Sequence, residues 1–271
     1  ESQYKKLMDI VNSNLENKDI KMYFTLGNHD MIGDFDEQVE LFKKYTGMKG
    51  VYHHTVINDT YFIHLGNEDK DSWTNPVLIS ENQMKWLENL LNEASSKKGP
   101  VFVFLHQPLY DTVAGSLPGQ NWDGVKDHKA LRALLDKYPN VLLFTGHTHW
   151  KFDSRTTMLN GKGKTANYFN TSAIAYLWTD EDKHYDGSQG YFVEVYKDYV
   201  LVRGYDFELE EWSSCAQFML RIESASETEN SPKTTESPEA KDGKKSPIIP
   251  IAIGASLVVI VLVVVLLKRK N

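Results

Sequence analysis

Six residues in this sequence are of types that hold metal ions or move protons. They fall in three short clusters: Asn28, His29 and Asp30; His106; and His147 with His149. Imidazole nitrogens with amide or carboxylate oxygens suit zinc, manganese, iron and related divalent ions. His147 and His149 stand two apart, so an extended turn would send both side chains from one side of the backbone, each towards a different ion of a close pair. The single cysteine, Cys215, leaves neither an intramolecular disulfide nor a thiolate zinc site. Each cluster alone has an ordinary reading. Gly-Asn-His-Asp is a plausible turn, and for His106 by itself a hydrogen-bonded structural histidine is the better account. The conjunction of three, in this order, favours a site.

The elements that must position these residues are legible from periodicity. Leu7, Ile10, Val11 and Leu15 recur at helical spacing, predicting a helix over Tyr4 to Asn17. Met22 to Leu26 reads as a short apolar strand running into Gly27-Asn28-His29-Asp30. Tyr52 to Ile57 and Thr60 to Leu65 form a hairpin about Asn58-Asp59. Ser80 with Gln83 is a capping-box start for the helix carrying Met84, Leu87, Leu90 and Leu91. Val101 to Leu105 is a continuous apolar strand ending at His106. After a helix over His128 to Lys137, Val141 to Phe144 is a second such strand, ending at Gly146-His147-Thr148-His149. Tyr191 to Tyr196 and Val200 to Tyr205 read as an antiparallel pair. Ligand sites in layered α/β proteins lie beyond the carboxyl ends of strands, so three strand-end clusters should converge.

Gly27-Asn28-His29-Asp30, His106-Gln107-Pro108 and Gly146-His147-Thr148-His149 together resemble the later motifs of the calcineurin-like metallophosphoesterase family. Gln83 and Trp86-Leu87 ahead of Val101 to His106 are similar to the family's approach to its middle histidine, and the likeness extends over nearly all of residues 1 to 210. The resemblance implies an α/β fold, a four-layer αββα sandwich of two mixed sheets flanked by helices. It implies two divalent metal ions (Mn, Fe or Zn) sharing a hydroxide that attacks phosphorus. By the same resemblance Asn28, His106 and His147 bind one ion and His149 the other. His29 faces the leaving group as acid or electrostatic stabiliser, with Asp30 holding its ring. The family's first ion also takes an Asp-x-His and a Gly-Asp from early in the domain. Neither stands before Gly27, which implies that this portion lies upstream of Glu1 and that the chain alone binds metal poorly and turns over little.

Composition divides the chain further. Residues 1 to 223 are globular in pattern, and 224 to 247 are Ser, Thr, Glu, Lys and Pro with almost nothing apolar, an extended stalk. Ile248 to Leu267 is uncharged and rich in Ile, Val and Leu, long enough for a transmembrane helix. Lys268-Arg269-Lys270 behind it marks a cytoplasmic tail, 268 to 271, which places the globular part on the extracytoplasmic side.

A net charge of −7 with no basic cluster in the body of the chain argues against a nucleic-acid partner and against a nuclease. The expected activity is hydrolysis of a phosphomonoester, phosphodiester or nucleotide; the competing reading is a catalytically incomplete, membrane-tethered binding or sensor module on the same fold. Substrate choice falls to loops 67–76, 110–123 and 179–189. The second carries Gly115, Pro118, Gly119 and Trp122 and reads equally as an aromatic wall or a solvated connection; the third reads as a surface loop. His53, His54, His64 and His128 match no motif. Asn58-Asp59-Thr60 and Asn170-Thr171-Ser172 have the glycosylation acceptor pattern.

Overall fold

Residues 1–15, 20–70, 76–122 and 124–222 are described in full by the computed structural model, together with the backbone of 263–267. The stalk, the tail and residues 248–262 lie outside the described residues. The helices are α1 (Ser2–Leu15), α2 (Phe35–Thr46), α3 (Glu81–Ser95) and α4 (His128–Leu135), with one 3₁₀ turn at Asn28–Met31. The strands are β1 (His53–Ile57), β2 (Thr60–His64), β3 (Val101–Leu105), β4 (Val141–Thr145), β5 (Met158–Leu159), β6 (Asn167–Asn170), β7 (Tyr176–Trp178), β8 (His184–Asp186), β9 (Gln189–Val195), β10 (Tyr199–Asp206), β11 (Glu211–Arg221) and β12 (Val263–Leu267).

Six strands form one mixed sheet in the order β1-β2-β3-β4-β6-β5. The inner strands β2, β3, β4 and β6 run parallel, and β1 and β5 pair antiparallel at the two edges. Parallel strands covered on both faces are apolar throughout, which is what Val101 to Leu105 and Val141 to Phe144 display. Alternation sorts their side chains. Val101, Val103 and Leu105 pack with Leu87, Leu91, Leu131 and Leu135 of α3 and α4. Phe102 and Phe104 face the other way, joining Phe62, Phe144 and Phe169 against Tyr191, Val193, Val200 and Val202 of a second sheet. That sheet has the order β11-β10-β9-β12, and β7 with β8 forms a separate ribbon.

The layers are therefore helices, sheet and sheet. A fourth, helical layer outside the second sheet is not present among the described residues; that face carries Phe192, Arg203 and Trp212, with Arg203 set over the Trp212 ring at 4.1 Å. The transmembrane helix expected over 248–267 falls mostly outside the described residues, and only its last five residues can be compared. Val263 to Leu267 is a strand, β12, parallel to β9 with Val263 opposite Tyr191 and Leu267 opposite Val195. No described helix is long and apolar enough to cross a membrane. Val263-Val264-Val265 is β-branched, and β9 offers a row of unpaired backbone groups on that side, so a strand satisfies both.

The Asn58-Asp59 hairpin forms with both turn residues at positive φ, 50° and 61°, the left-handed pair that a two-residue turn requires. The capping box of α3 is half formed. The Ser80 side chain accepts from the Gln83 amide, while the buried Gln83 side chain turns away to bond both backbone groups of Gly66 and the Glu68 carboxylate. Met22 to Leu26 is not a strand. Side chains hold it: His53 Nε2 lies 2.9 Å from the Phe24 carbonyl, and the Thr25 hydroxyl 2.7 Å from His64 Nδ1. His53 and His64 sit opposite one another across β1 and β2 and stack at 4.4 Å. These two histidines, which match no motif, fix the segment that delivers residues 27 to 30.

Candidate metal centre

Each predicted residue follows a structural cause. Gly27 precedes the 3₁₀ turn with its α-carbon against the His106 ring; a Cβ there would sit 3.2 Å from three ring atoms, so glycine lets the first cluster approach the second. Asn28 is buried, and its Oδ1 lies 3.0 Å from His106 Nε2. Asp30 accepts the Gly27 amide at 2.8 Å, which closes the turn. Its carboxyl is pushed up to about 6, first by burial, against the opposing pull of that amide and of the neighbouring Tyr4 hydroxyl. The structure thus places Asp30 on the loop's own backbone. His29 is exposed at the rim.

The third cluster is tied to the second by the Gly146 amide donating to the His106 carbonyl at 3.0 Å. The His106 and His147 rings meet edge to face with centroids 5.2 Å apart. His147 and His149 both adopt left-handed backbone, φ 67° and 59°, so a kinked turn aims them where an extended one had been expected. Such conformations in non-glycine residues cost of order 1–3 kcal/mol and collect at functional sites. Asn170 holds this turn, donating from Nδ2 to the Trp150 carbonyl at 2.7 Å and accepting the Thr148 hydroxyl and Ser172 amide at Oδ1. Fully buried, Asn170 is a structural pin, and its glycosylation pattern is inaccessible.

His149 is oriented by β7, which sequence reasoning missed. Its carbonyl accepts the Trp178 amide at 2.8 Å, its Nδ1 lies 3.2 Å from the Tyr176 carbonyl, and its ring packs on the Tyr176 ring at 4.4 Å. An Nδ1–H bonded to a carbonyl leaves Nε2 as the free donor nitrogen, the tautomer a metal ligand needs. The only advance signal for β7 was the short β-prone run Tyr-Leu-Trp of residues 176 to 178.

Loop 110–122 packs onto the same turn. Gly115, at φ 89°, lies so close that a Cβ would fall 2.4 Å from Thr148 Cβ. Trp122 donates its amide to the Gly115 carbonyl, and its ring lies 6.0 Å from the His147 ring and 5.9 Å from those of Trp150 and Trp178. Asp180, in the loop expected to be mere surface, accepts from the Gln120 side chain and the Arg155 amide and braces this arrangement.

Burial is the first cause that lowers all three interior histidines, with neighbouring imidazoles adding to it. His106 falls well below the ordinary value, and His147 and His149 fall to about 4. His29 contributes to the depression of each, which puts it within electrostatic reach of all of them. Neutral imidazoles beside an amide oxygen fit a divalent ion in chemistry, because a ligand must be unprotonated to bind. Asn28, His106 and His147 are brought together, with His149 on the same turn. Among the described residues no group of three or more His, Cys, Asp or Glu side chains gathers as a cage by itself.

Residues 2–151 match the family model of calcineurin-like phosphoesterases, more than half of the chain, and the protein belongs to that family. The matched region ends just beyond His149. Among solved structures, a dimetal phosphatase from Danio rerio is similar over 81% of this chain and 78% of its own, at 14% identity and a TM-score of 0.47. No curated protein matches.

Proposed function

We propose that this chain hydrolyses phosphoric esters at a two-metal centre to which it contributes Asn28, His106 and His147 for one ion and His149 for the other. Family membership supports phosphoester hydrolysis with divalent metals in general, and the 3.0 Å approach of Asn28 Oδ1 to His106 Nε2 is the single observation that carries the ligand assignment. The bound ions supply Lewis acidity towards phosphoryl oxygens and generate a nucleophile from water at neutral pH. The chain's own residues do the rest. His29 stands at the rim, placed to donate a proton or positive charge to the leaving oxygen. Asp30 keeps the turn closed, and the walls of loops 110–122 and 176–180 keep bulk water from the turn that bears His147 and His149.

With no carboxylate within this donor set, the four residues form an incomplete centre, and turnover by this chain is low. The test is hydrolysis of p-nitrophenyl phosphate and its bis ester by the full chain with added manganese, alongside metal content. His29→Ala should cut turnover at least tenfold and leave bound metal unchanged; metal lost in step with activity would remove His29 from its role. Manganese binding without turnover in the parent would favour the binding-module reading over the enzyme.

The apolar run 248–267 followed by Lys268-Arg269-Lys270 is, on composition, a tether that holds the globular part at the outer face of a membrane. Cosedimentation of the full chain with lipid vesicles tests it. A chain that stays in the supernatant keeps Val263–Leu267 on the edge of β9 and has no anchor.

A further inference from the structure

The indole rings of Trp122, Trp150 and Trp178, gathered on one side of the centre, offer no metal-donor atom. Trp122 is half-buried; its backbone N–H donates to the Gly115 carbonyl, and Gly115 lies close against Thr148. Its ring stands tilted against His147 and Trp178 and edge to face with Trp150, and the latter two tryptophans stack at 6.3 Å. Trp150 is 2% exposed, yet its indole N–H has no hydrogen-bond partner, and neither does the buried N–H of Trp178. Buried indole donors are normally paired, and leaving two unpaired in one cluster costs free energy. On the far side of the same turn Tyr176 packs on His149. A half-buried tryptophan ring 6.0 Å from the ring of His147, a candidate ligand, sets an apolar π-system beside the centre.

From this geometry we infer that the centre takes phosphate esters whose organic part carries a planar aromatic ring, such as a nucleobase, and that Trp122 is the specificity-determining residue that stacks on it. The inference rests on the phosphoesterase reading for the phosphate, while the ring site stands on the tryptophans alone. Stacking is sequence-tolerant because every base has a π-face, and losing the platform weakens binding by roughly five- to hundredfold per base.

Calorimetric titration of the full chain with manganese present tests this, using AMP, ribose 5-phosphate, adenosine and p-nitrophenyl phosphate as probes. Trp122→Ala should weaken AMP and adenosine at least fivefold, leave ribose 5-phosphate unchanged, and be rescued largely by Trp122→Phe. Equal losses for AMP and ribose 5-phosphate, or no loss for either, would overturn the assignment. A p-nitrophenyl phosphate affinity that depends on Trp122 as AMP's does makes the site a reader of any planar ring; dependence for AMP alone narrows it to nucleobases, and both support the stacking role. Failure of the phosphoesterase reading shows elsewhere: His147→Ala would then leave AMP no weaker relative to adenosine. Adenosine binding still reports on Trp122 in that event.

Discussion

His106, His147 and His149 are neutral because they are buried, and that has consequences in two directions. Below the ordinary histidine value of 6.5 the unfolded chain takes up protons that these folded residues refuse until about pH 4. Stability of the metal-free protein therefore falls as pH drops from about 6.5 towards 4. Metal affinity, by contrast, should stay nearly constant from pH 7.5 down to about 5, because the ligands need not shed protons to bind. A manganese titration across that range whose midpoint falls near 6.5 would show ordinary, solvated imidazoles. Asp30 has the opposite sign. Its folded pKa is raised from 3.8 to about 6, so wild-type stability declines as pH rises through that window. Asp30→Asn keeps an acceptor for the Gly27 amide and removes the titration, so its melting temperature relative to wild type should improve from pH 4.5 to pH 8. A relative loss at pH 8 would mean the charge itself holds the turn.

The elements that carry the site were readable where one rule dominates. The strand from Val101 to Leu105 is apolar at every position and β3 is buried at every position, so its end at His106 was fixed by burial alone. The Asn58-Asp59 turn was legible because the required backbone favours those residue types. Where tertiary contacts decide, the sequence was silent. β11 has Ala216 as its one fully buried residue, and β7 is three residues long, so neither periodicity nor length announces them. Met22 to Leu26 has a strand's composition, but imidazole side chains hold it in place of a ladder. The kinked backbone of His147 and His149 depends on Asn170 and Gly115, both distant in sequence. Gly115→Val belongs to this scale: a side chain at φ 89° and 2.4 Å from Thr148 should cost about 1–3 kcal/mol in urea unfolding and loosen the turn. Unchanged stability would mean that loop 110–122 does not clamp the turn.

At the scale of the molecule, two sheets share one aromatic core, and the loops that carry His106 and residues 146–149 leave the same end of the first sheet. The parallel order β2-β3-β4 sets His106 and the 146–149 turn side by side, and the 27–30 turn meets them through Asn28. Sequence motifs supplied the candidates because the family's chemistry restricts residue types there. They could not fix the number of layers, since what lies on the outer face of β9 to β11 is not encoded in the motifs.

The central claim is that Asn28, His106 and His147 hold a divalent ion. Equilibrium manganese titration of the full chain, with His147→Ala and Asn28→Ala measured alongside, tests it most directly. The account predicts saturable binding by the parent and at least a tenfold loss in each variant, with circular dichroism unchanged. Manganese affinity equal in the parent and both variants would contradict it.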